Sequence, residues 1–258
     1  GLLLSRLVGG KRLDLHLKHD HVLSEPHLEA MRRGLRRVAG GEPAQYVLGR
    51  VDFMGHALKV DKRALIPRPE TEQLVEVVLA CQPLWSREHP AVLDWGTGSG
   101  CIVISLAKAK PEAIYLAVDV SPEAIALARE NAETIGLADR IGFTDADLSD
   151  LVEPATMDAI VANLPYIPTA EYERLPVHIR HHEPRLALDG GPRGMSVIES
   201  VVQDAVILLK PGGFIFLEIG WQQGAIVKDC LAEAGFSDIQ VRKDLAGKDR
   251  IVTATLAE

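Results

Sequence analysis

Met157-Asp158-Ala159-Ile160-Val161-Ala162-Asn163-Leu164-Pro165-Tyr166-Ile167-Pro168 is the stretch that decides the fold. Small and β-branched apolar residues over 157–162 read as the central strand of a parallel sheet, buried on both faces. The run stops abruptly at Asn-x-Pro-Tyr, a rigid polar loop. In open α/β sheets ligands bind outside the carboxyl ends of the strands, so Asn163 and the ring of Tyr166 are positioned to hold something planar, such as an amide or a nucleobase.

The rest of the chain repeats that rhythm outward from the loop. Strands are predicted at 91–94, 113–118, 141–143, 158–162 and 214–219, with helices after Gly100 and over 122–135, 196–209 and 223–234. This alternation means a mostly parallel sheet with helices on both faces. Residues 238–242 and 251–256, joined by a short polar loop, are free to pair antiparallel. The first 40 residues differ, with helix-spaced Leu3, Leu4, Leu7, Leu13, Leu17, Leu28, Met31, Leu35 and Val38 and no strand alternation, so a small helical domain is expected there. Ser24 with Pro26 marks a helix start and Gly40-Gly41 its end. Segments 51–54 and 57–60 flank Gly55-His56, the spacing of a two-residue hairpin that bridges the two parts. Pro67-Arg68-Pro69-Glu70-Thr71-Glu72 reads as a turn stiffened by two prolines before a helix over 73–80.

With 258 residues, 47% of them hydrophobic, the chain is long enough for one large domain and a small one. No apolar run approaches the roughly 20 residues of a membrane span, and no signal peptide is visible. The first residue, Gly1, reads as a processed, tagged or truncated start. Cys81, Cys101 and Cys230 are odd in number and widely spaced, which argues against a disulfide framework or a zinc site and for a reducing, cytoplasmic compartment. His178, His181 and His182 have helical spacing but no companion Cys or Asp/Glu pattern, so no metal is expected. The net charge of -8 conceals an asymmetry, because residues 1–50 carry nine Lys or Arg against five acids. The Arg32-Arg33 and Arg36-Arg37 pairs read as a solvated helix face, or as a sign that the two parts meet different partners. An acidic total disfavours a general nucleic-acid binder.

Val92-Leu93-Asp94-Trp95-Gly96-Thr97-Gly98-Ser99-Gly100 is a strand running into a glycine-rich turn that opens a helix. Such a turn lets the backbone approach a ligand and presents free N–H groups at the helix start. A nicotinamide-binding turn would carry glycine where this chain has Cys101. Asp119 ends the second strand, where a carboxylate accepts both hydroxyls of a ribose. Ser121 before Pro122 already suits the helix cap there. Asp145 and Asp147 follow the third strand, either at the edge of an adenine pocket or as two helix caps.

In order and spacing, Gly96 to Gly100, Asp119, Asp147 and the Asn163 to Tyr166 loop resemble the class I S-adenosylmethionine methyltransferases. More specifically, the chain resembles the HemK/PrmC family, protein-(glutamine-N5) methyltransferases that modify the glutamine of the Gly-Gly-Gln motif in class I peptide chain release factors. The segments that carry this are Gly41 to Gly49, Phe53-Met54-Gly55, Ile66 to Glu72, Glu183-Pro184, Leu217-Glu218-Ile219-Gly220 and Lys243-Asp244-Leu245. The chain departs from the family where Leu164 stands in place of the first proline of Asn-Pro-Pro-Tyr, and its helical domain starts late, as if the first helix were missing.

The resemblance implies a Rossmann-like α/β fold with a mostly parallel seven-stranded sheet. It divides the chain into a helical substrate-recognition domain (1–48), a hairpin linker (49–66) and a methyltransferase domain (67–258). S-adenosyl-L-methionine, leaving as S-adenosyl-L-homocysteine, would be held by Gly96, Thr97, Gly98, Ser99, Gly100, Asp119, Asp147, Leu148 and Asn163. The catalytic loop would be Asn163, Leu164, Pro165 and Tyr166. There the Asn163 side chain and the Leu164 carbonyl accept the two hydrogens of the target amide, and Tyr166 walls the amide plane. Class I release factors are the implied partners of a monomer with no membrane and no stable nucleic-acid partner. An adenine-N6 methyltransferase would use the same loop over a basic cleft, which residues 51–258 do not suggest, and a non-catalytic cofactor-binding module would not need the intact loop.

Overall fold

The computed structural model describes residues 2–7, 22–148 and 151–257. At the N-terminal end, Leu2–Leu7 (α1) packs on Glu25–Ala39 (α2), close enough that a Cβ on Gly34 of α2 would meet Leu3 Cδ2 at 3.1 Å. Pro26 opens α2 as predicted, although the Ser24 side chain makes no capping bond, and the helix ends at Gly40. The expectation for Leu13 and Leu17 lies outside the described residues. A short helix, Ala44–Leu48 (α3), follows, and its Tyr46 hydroxyl donates to the Ala64 carbonyl at 2.7 Å.

Arg50–Phe53 (β1) and His56–Lys59 (β2) pair antiparallel as the expected hairpin, but Phe53 faces His56 across the ladder. The two turn residues are therefore Met54 (φ 46) and Gly55 (φ 79), not Gly55 and His56. A two-residue turn with positive φ at both positions twists in the same sense as its strands, which is why Met54 accepts a conformation that L-residues rarely adopt. The next helix, Pro69–Leu79 (α4), also starts earlier than the predicted 73. Pro69 occupies its first turn, where a missing N–H costs nothing, and Arg68 before it is extended. Gln82–Trp85 (α5) is a single turn.

Ala91–Trp95 (β3), Cys101–Ala109 (α6), Ile114–Val118 (β4), Pro122–Ile135 (α7), Ile141–Thr144 (β5) and Met157–Asn163 (β6) follow the predicted alternation. After β6 come two short helices, Thr169–Tyr172 (α8) and Val177–His182 (α9), then Ser196–Leu208 (α10), Leu209–Glu218 (β7), Gly224–Glu233 (α11), Phe236–Lys243 (β8) and Asp249–Leu256 (β9). The prediction set a gap between α10 and a strand at 214. Instead β7 begins at Leu209, and the Lys210-Pro211-Gly212-Gly213 stretch is absorbed as a register irregularity between Met157↔Leu209 and Ala159↔Phe214.

The seven strands lie in the order β5-β4-β3-β6-β7-β9-β8, parallel except where β9 pairs with β7 and β8. This is the mostly parallel seven-stranded sheet that the resemblance implies. Its two cores follow from the period-2 alternation of the strands. Val92, Ala159 and Val161 face one side with α4, α6 and α7, while Leu93, Ile160 and Ala162 face the other with α10 and α11. Within the described residues no helix is long and apolar enough to cross a membrane.

Two polar residues fix the layers. Asn131 of α7, buried, accepts from Lys59 N at 2.7 Å and donates to Lys59 O at 3.1 Å and Ser99 O at 2.8 Å, so one side chain ties the hairpin to the glycine-rich turn. Asp158 at the start of β6 accepts from Arg87 Nη1 at 2.7 Å, Ala91 N at 2.9 Å and Lys210 Nζ at 2.7 Å. Asp158→Ala removes all three bonds from a buried carboxylate and is expected to lower unfolding stability by about 2 to 3 kcal/mol. Urea unfolding measures it, and an unchanged midpoint would show that Asp158 is dispensable.

Candidate active site

The sheet order reverses between β3 and β6, and the crevice at their carboxyl ends is where a ligand of such a sheet lodges. A cavity of about 330 Å³ lies there. Its walls include Gly96 to Ser99, Asp119, Asn163 to Pro165 and Thr71, with Ile66 to Arg68 and Pro184, Leu186 and Ala187 closing the far side. Of the sequence-predicted residues, Gly96, Thr97, Gly98, Ser99, Asp119, Asn163, Leu164 and Pro165 therefore converge. Gly100, Asp147, Leu148 and Tyr166 lie off the wall.

The glycine-rich turn is held from below by Asp94, which is fully buried. Its Oδ2 accepts from the Thr97 hydroxyl at 2.6 Å and from Val103 N at 3.2 Å, while Gly96 N and Thr97 N both donate to the Val118 carbonyl at 2.8 and 2.9 Å. Burial pushes the Asp94 carboxyl up to about 7, and the nearby Asp119 charge works in the same direction. Asp94 Oδ1 is buried without a hydrogen-bond partner among the described residues. Gly100 has φ +81, and a Cβ there would stand 3.0 Å from Ile104 Cδ1 and 3.2 Å from Ala128 Cβ. Only glycine lets α6 begin that close to α7.

Asp119 follows β4. Oδ2 accepts from Gly98 N at 2.9 Å and Oδ1 from Ser121 N at 3.0 Å, which leaves lone pairs on both oxygens. Burial raises its pKa against these two bonds. The helix cap is Ser121, whose hydroxyl accepts from Ala124 N at 3.2 Å. Asp145 and Asp147 are exposed beyond the end of β5, and Leu148 is buried in the core beside Val118.

Across the crevice, Asn163 is the last residue of β6. Its Nδ2 donates to Thr71 Oγ1 at 3.0 Å, and the Thr71 hydroxyl donates to Glu218 Oε2 at 2.7 Å. Among the described residues no donor reaches Asn163 Oδ1 or the Leu164 carbonyl. Leu164 itself is buried in the core, and its Cδ2 lies 3.4 Å from where a Gly96 Cβ would stand, so the two loops nearly touch. Glu218, also buried, is pushed up to about 7 by its burial, partly opposed by Thr71 and Arg250. The Tyr166 hydroxyl donates to Glu218 Oε1 at 3.4 Å and is itself pushed up to about 12 by burial.

Close backbone contacts hold this loop. A Cβ on Gly190 would lie 2.5 Å from Pro165 O, and Gln223 Nε2 donates to Tyr166 O at 3.1 Å and Gly194 O at 3.1 Å. On the far wall Arg68 Nη2 donates to both Glu183 oxygens at 2.6 and 2.7 Å, which ties Ile66-Pro67-Arg68 to Pro184. Sequence reasoning quoted Thr71, Glu183 and Glu218 within matching segments but gave them no role. The available signal was Glu218 itself, an acid inside an apolar strand, which must be paired to be buried.

Residues 1–49 match the PrmC N-terminal domain and residues 92–182 a methyltransferase domain. The chain is 42% identical over 256 residues to the release factor glutamine methyltransferase of Chlorobaculum tepidum, covering 96% of this chain and 86% of that one. It is 44% identical over 223 residues to that of Moorella thermoacetica, covering 86% and 78%. Among solved structures, a methyltransferase from Pyrococcus furiosus superimposes with TM-score 0.57 at 18% identity, covering 79% of this chain and 90% of that one. A SAM-dependent O-methyltransferase from Thermotoga maritima gives 0.55 at 18%, covering 76% and 68%. At such identities these two structures speak for the fold alone. The near-full-length relatives speak for more, and the chain belongs to the release factor glutamine methyltransferase family.

Proposed function

We propose that this chain transfers a methyl group from S-adenosyl-L-methionine to the side-chain amide nitrogen of the glutamine in the Gly-Gly-Gln motif of class I release factors. The observation that carries the reading is the Asn163 amide, held by its nitrogen on Thr71 with Oδ1 left to accept at the cavity wall. The names of its relatives support the same acceptor.

The residues around the cavity fit the cofactor. Asp119 stands on the cavity wall with its pKa raised by burial, which a hydroxyl or cationic donor would relieve. Asp119 has acceptor capacity left for the two ribose hydroxyls. When bound, S-adenosylmethionine supplies a methyl group on a sulfonium, an electrophile with a neutral leaving group.

The chain's own task is to make an amide nitrogen attack. That nitrogen is a poor nucleophile because its lone pair is delocalised into the carbonyl. Asn163 Oδ1 and the Leu164 carbonyl would accept its two N–H bonds, orient it, and stabilise positive charge as it develops. Leu164 serves as well as proline here, since only its backbone oxygen is used and Pro165 still keeps residue 164 extended. Tyr166, braced through Gln223 and Glu218, stiffens the loop from behind.

Two variants separate binding from chemistry. Asp119→Ala is expected to weaken S-adenosylmethionine by about 1.5 to 3 kcal/mol in calorimetry. Asn163→Ala should bind it within a few-fold of the parent yet lose at least about a hundredfold in single-turnover transfer to a release factor. Transfer retained in Asn163→Ala would defeat the mechanism.

Residues 1–48 would read the factor outside its glutamine, 49–66 would link, and 67–258 would carry the reaction, in the cytoplasm where termination occurs. Arg33 and Arg36 on α2 are exposed and share Glu29 as their ion-pair partner at 3.9 and 3.3 Å, so with four arginines against two acids the helix stays net positive, which supports an electrostatic part in that recognition. Arg33→Glu with Arg36→Glu is therefore expected to raise KM for the factor several-fold at low salt and to leave kcat near the parent value. An unchanged KM would assign those arginines to solvent only.

A further inference from the structure

An amide has two ends of nearly the same shape, and turning Asn163 by half a revolution would present a donor where the acceptor must be. Nothing in the Asn163 side chain itself chooses between them. The choice is made by its neighbours. An ionised carboxylate only accepts, so the single proton of the Thr71 hydroxyl is committed to Glu218 Oε2 at 2.7 Å. The lone pairs of Oγ1 are then all that Thr71 offers to Asn163, 3.0 Å away, and a lone pair can be met only by Nδ2–H.

We propose that Glu218 and Thr71 are positioning residues that set, through this two-step hydrogen-bond relay, which end of the Asn163 amide faces the methyl acceptor. The inference rests on the reading that Asn163 accepts from the target amide. It adds that the carboxylate acting at a distance must be ionised. A protonated Glu218 can donate to Thr71 Oγ1, which frees the hydroxyl proton to point at Asn163 Oδ1 and turns Nδ2 toward the acceptor's own N–H groups.

The surroundings of Glu218 make that switch accessible. Burial is the largest influence and, with the Glu70 charge, raises its pKa; the Thr71 hydroxyl, the Arg250 guanidinium and the Tyr166 hydroxyl act the other way. The balance stands at about 7. Because the ionised form holds the productive orientation, activity through the relay is gained as pH rises through that value and lost below it.

Two measurements on the whole protein test this. In the free enzyme, the Asn163 side-chain amide resonances, identified by their absence in Asn163→Ala, should shift with a midpoint near the Glu218 value, and should not do so in Thr71→Val. In single-turnover transfer at saturating S-adenosylmethionine, the parent rate should rise with pH through about 7. Thr71→Val, similar in shape but without a hydroxyl, should lose at least about tenfold in rate. It should also lose that pH dependence, with cofactor affinity within a few-fold of the parent. Thr71→Ser should restore both rate and dependence, whereas a hydroxyl needed only for packing would show neither pattern. Glu218→Gln, whose amide oxygen would be held on the Oε1 side by the Tyr166 hydroxyl donor so that its nitrogen faces Thr71, should be slow at every pH. Thr71→Val transferring like the parent with the same pH dependence would overturn the relay. A parent that methylates no release factor at any pH sinks the functional reading instead, and the amide resonances then decide the relay alone, pH-independent signals in the parent overturning it.

Discussion

The hydroxyl of Thr71 is the point on which the site turns. It bonds at once to Glu218 at the end of β7 and to Asn163 at the end of β6, and it sits in the first turn of α4. Three elements distant in the chain are registered against one another there by groups that cannot be left unpaired, since Glu218 is buried and an orphaned carboxylate is costly. Pro69 contributes by starting the helix early enough to bring Thr71 into reach. The Asn163 amide thus inherits its orientation from the packing of the whole sheet edge.

The opposite wall follows the same logic. Asp94, buried beneath the glycine-rich turn, holds Thr97 and the start of α6, while Asp119 holds Gly98 and Ser121. Both carboxylates lie in surroundings that disfavour their charge. Asn131 then couples this wall to the hairpin, and Tyr46 couples the hairpin region to the helical segment through Ala64. The loop at Asn163 and the turn at Gly96 come together because Leu164 packs into the core between them. A proline at that position is not needed for the approach.

Much of this was legible in the sequence, where periodicity reports local geometry. The apolar run ending at Asn163 and the strand-to-glycine transition at Gly96 needed only the alternation of buried residues and the conformational demands of glycine. Long-range polar pairing leaves no such trace. Thr71 and Glu218 are 147 positions apart and Thr71 and Asn163 are 92 apart, so no spacing rule connects them. The hairpin turn was misaligned by one residue because Met54 adopts a conformation that its side chain disfavours and only strand twist demands. The start of β7 was obscured because Lys-Pro-Gly-Gly reads as a stop, while the sheet accommodates it as an irregularity beside Met157. Asp147 and Leu148, implied by the resemblance, follow β5 one strand beyond the cavity wall, a placement that order along the chain does not reveal.

The central claim is that this edge orients a glutamine amide, and the acceptor atom tests it most directly. The whole protein would be incubated with labelled S-adenosylmethionine, an intact class I release factor, the same factor carrying Gly-Gly-Glu, and a DNA duplex, and the methylated products mapped by peptide mass spectrometry. The account predicts one methyl group on the side-chain amide of the Gly-Gly-Gln glutamine, and none on the Gly-Gly-Glu factor or the duplex. Methylation of the Gly-Gly-Glu factor to the same extent, or label on adenine in place of the factor, would contradict it.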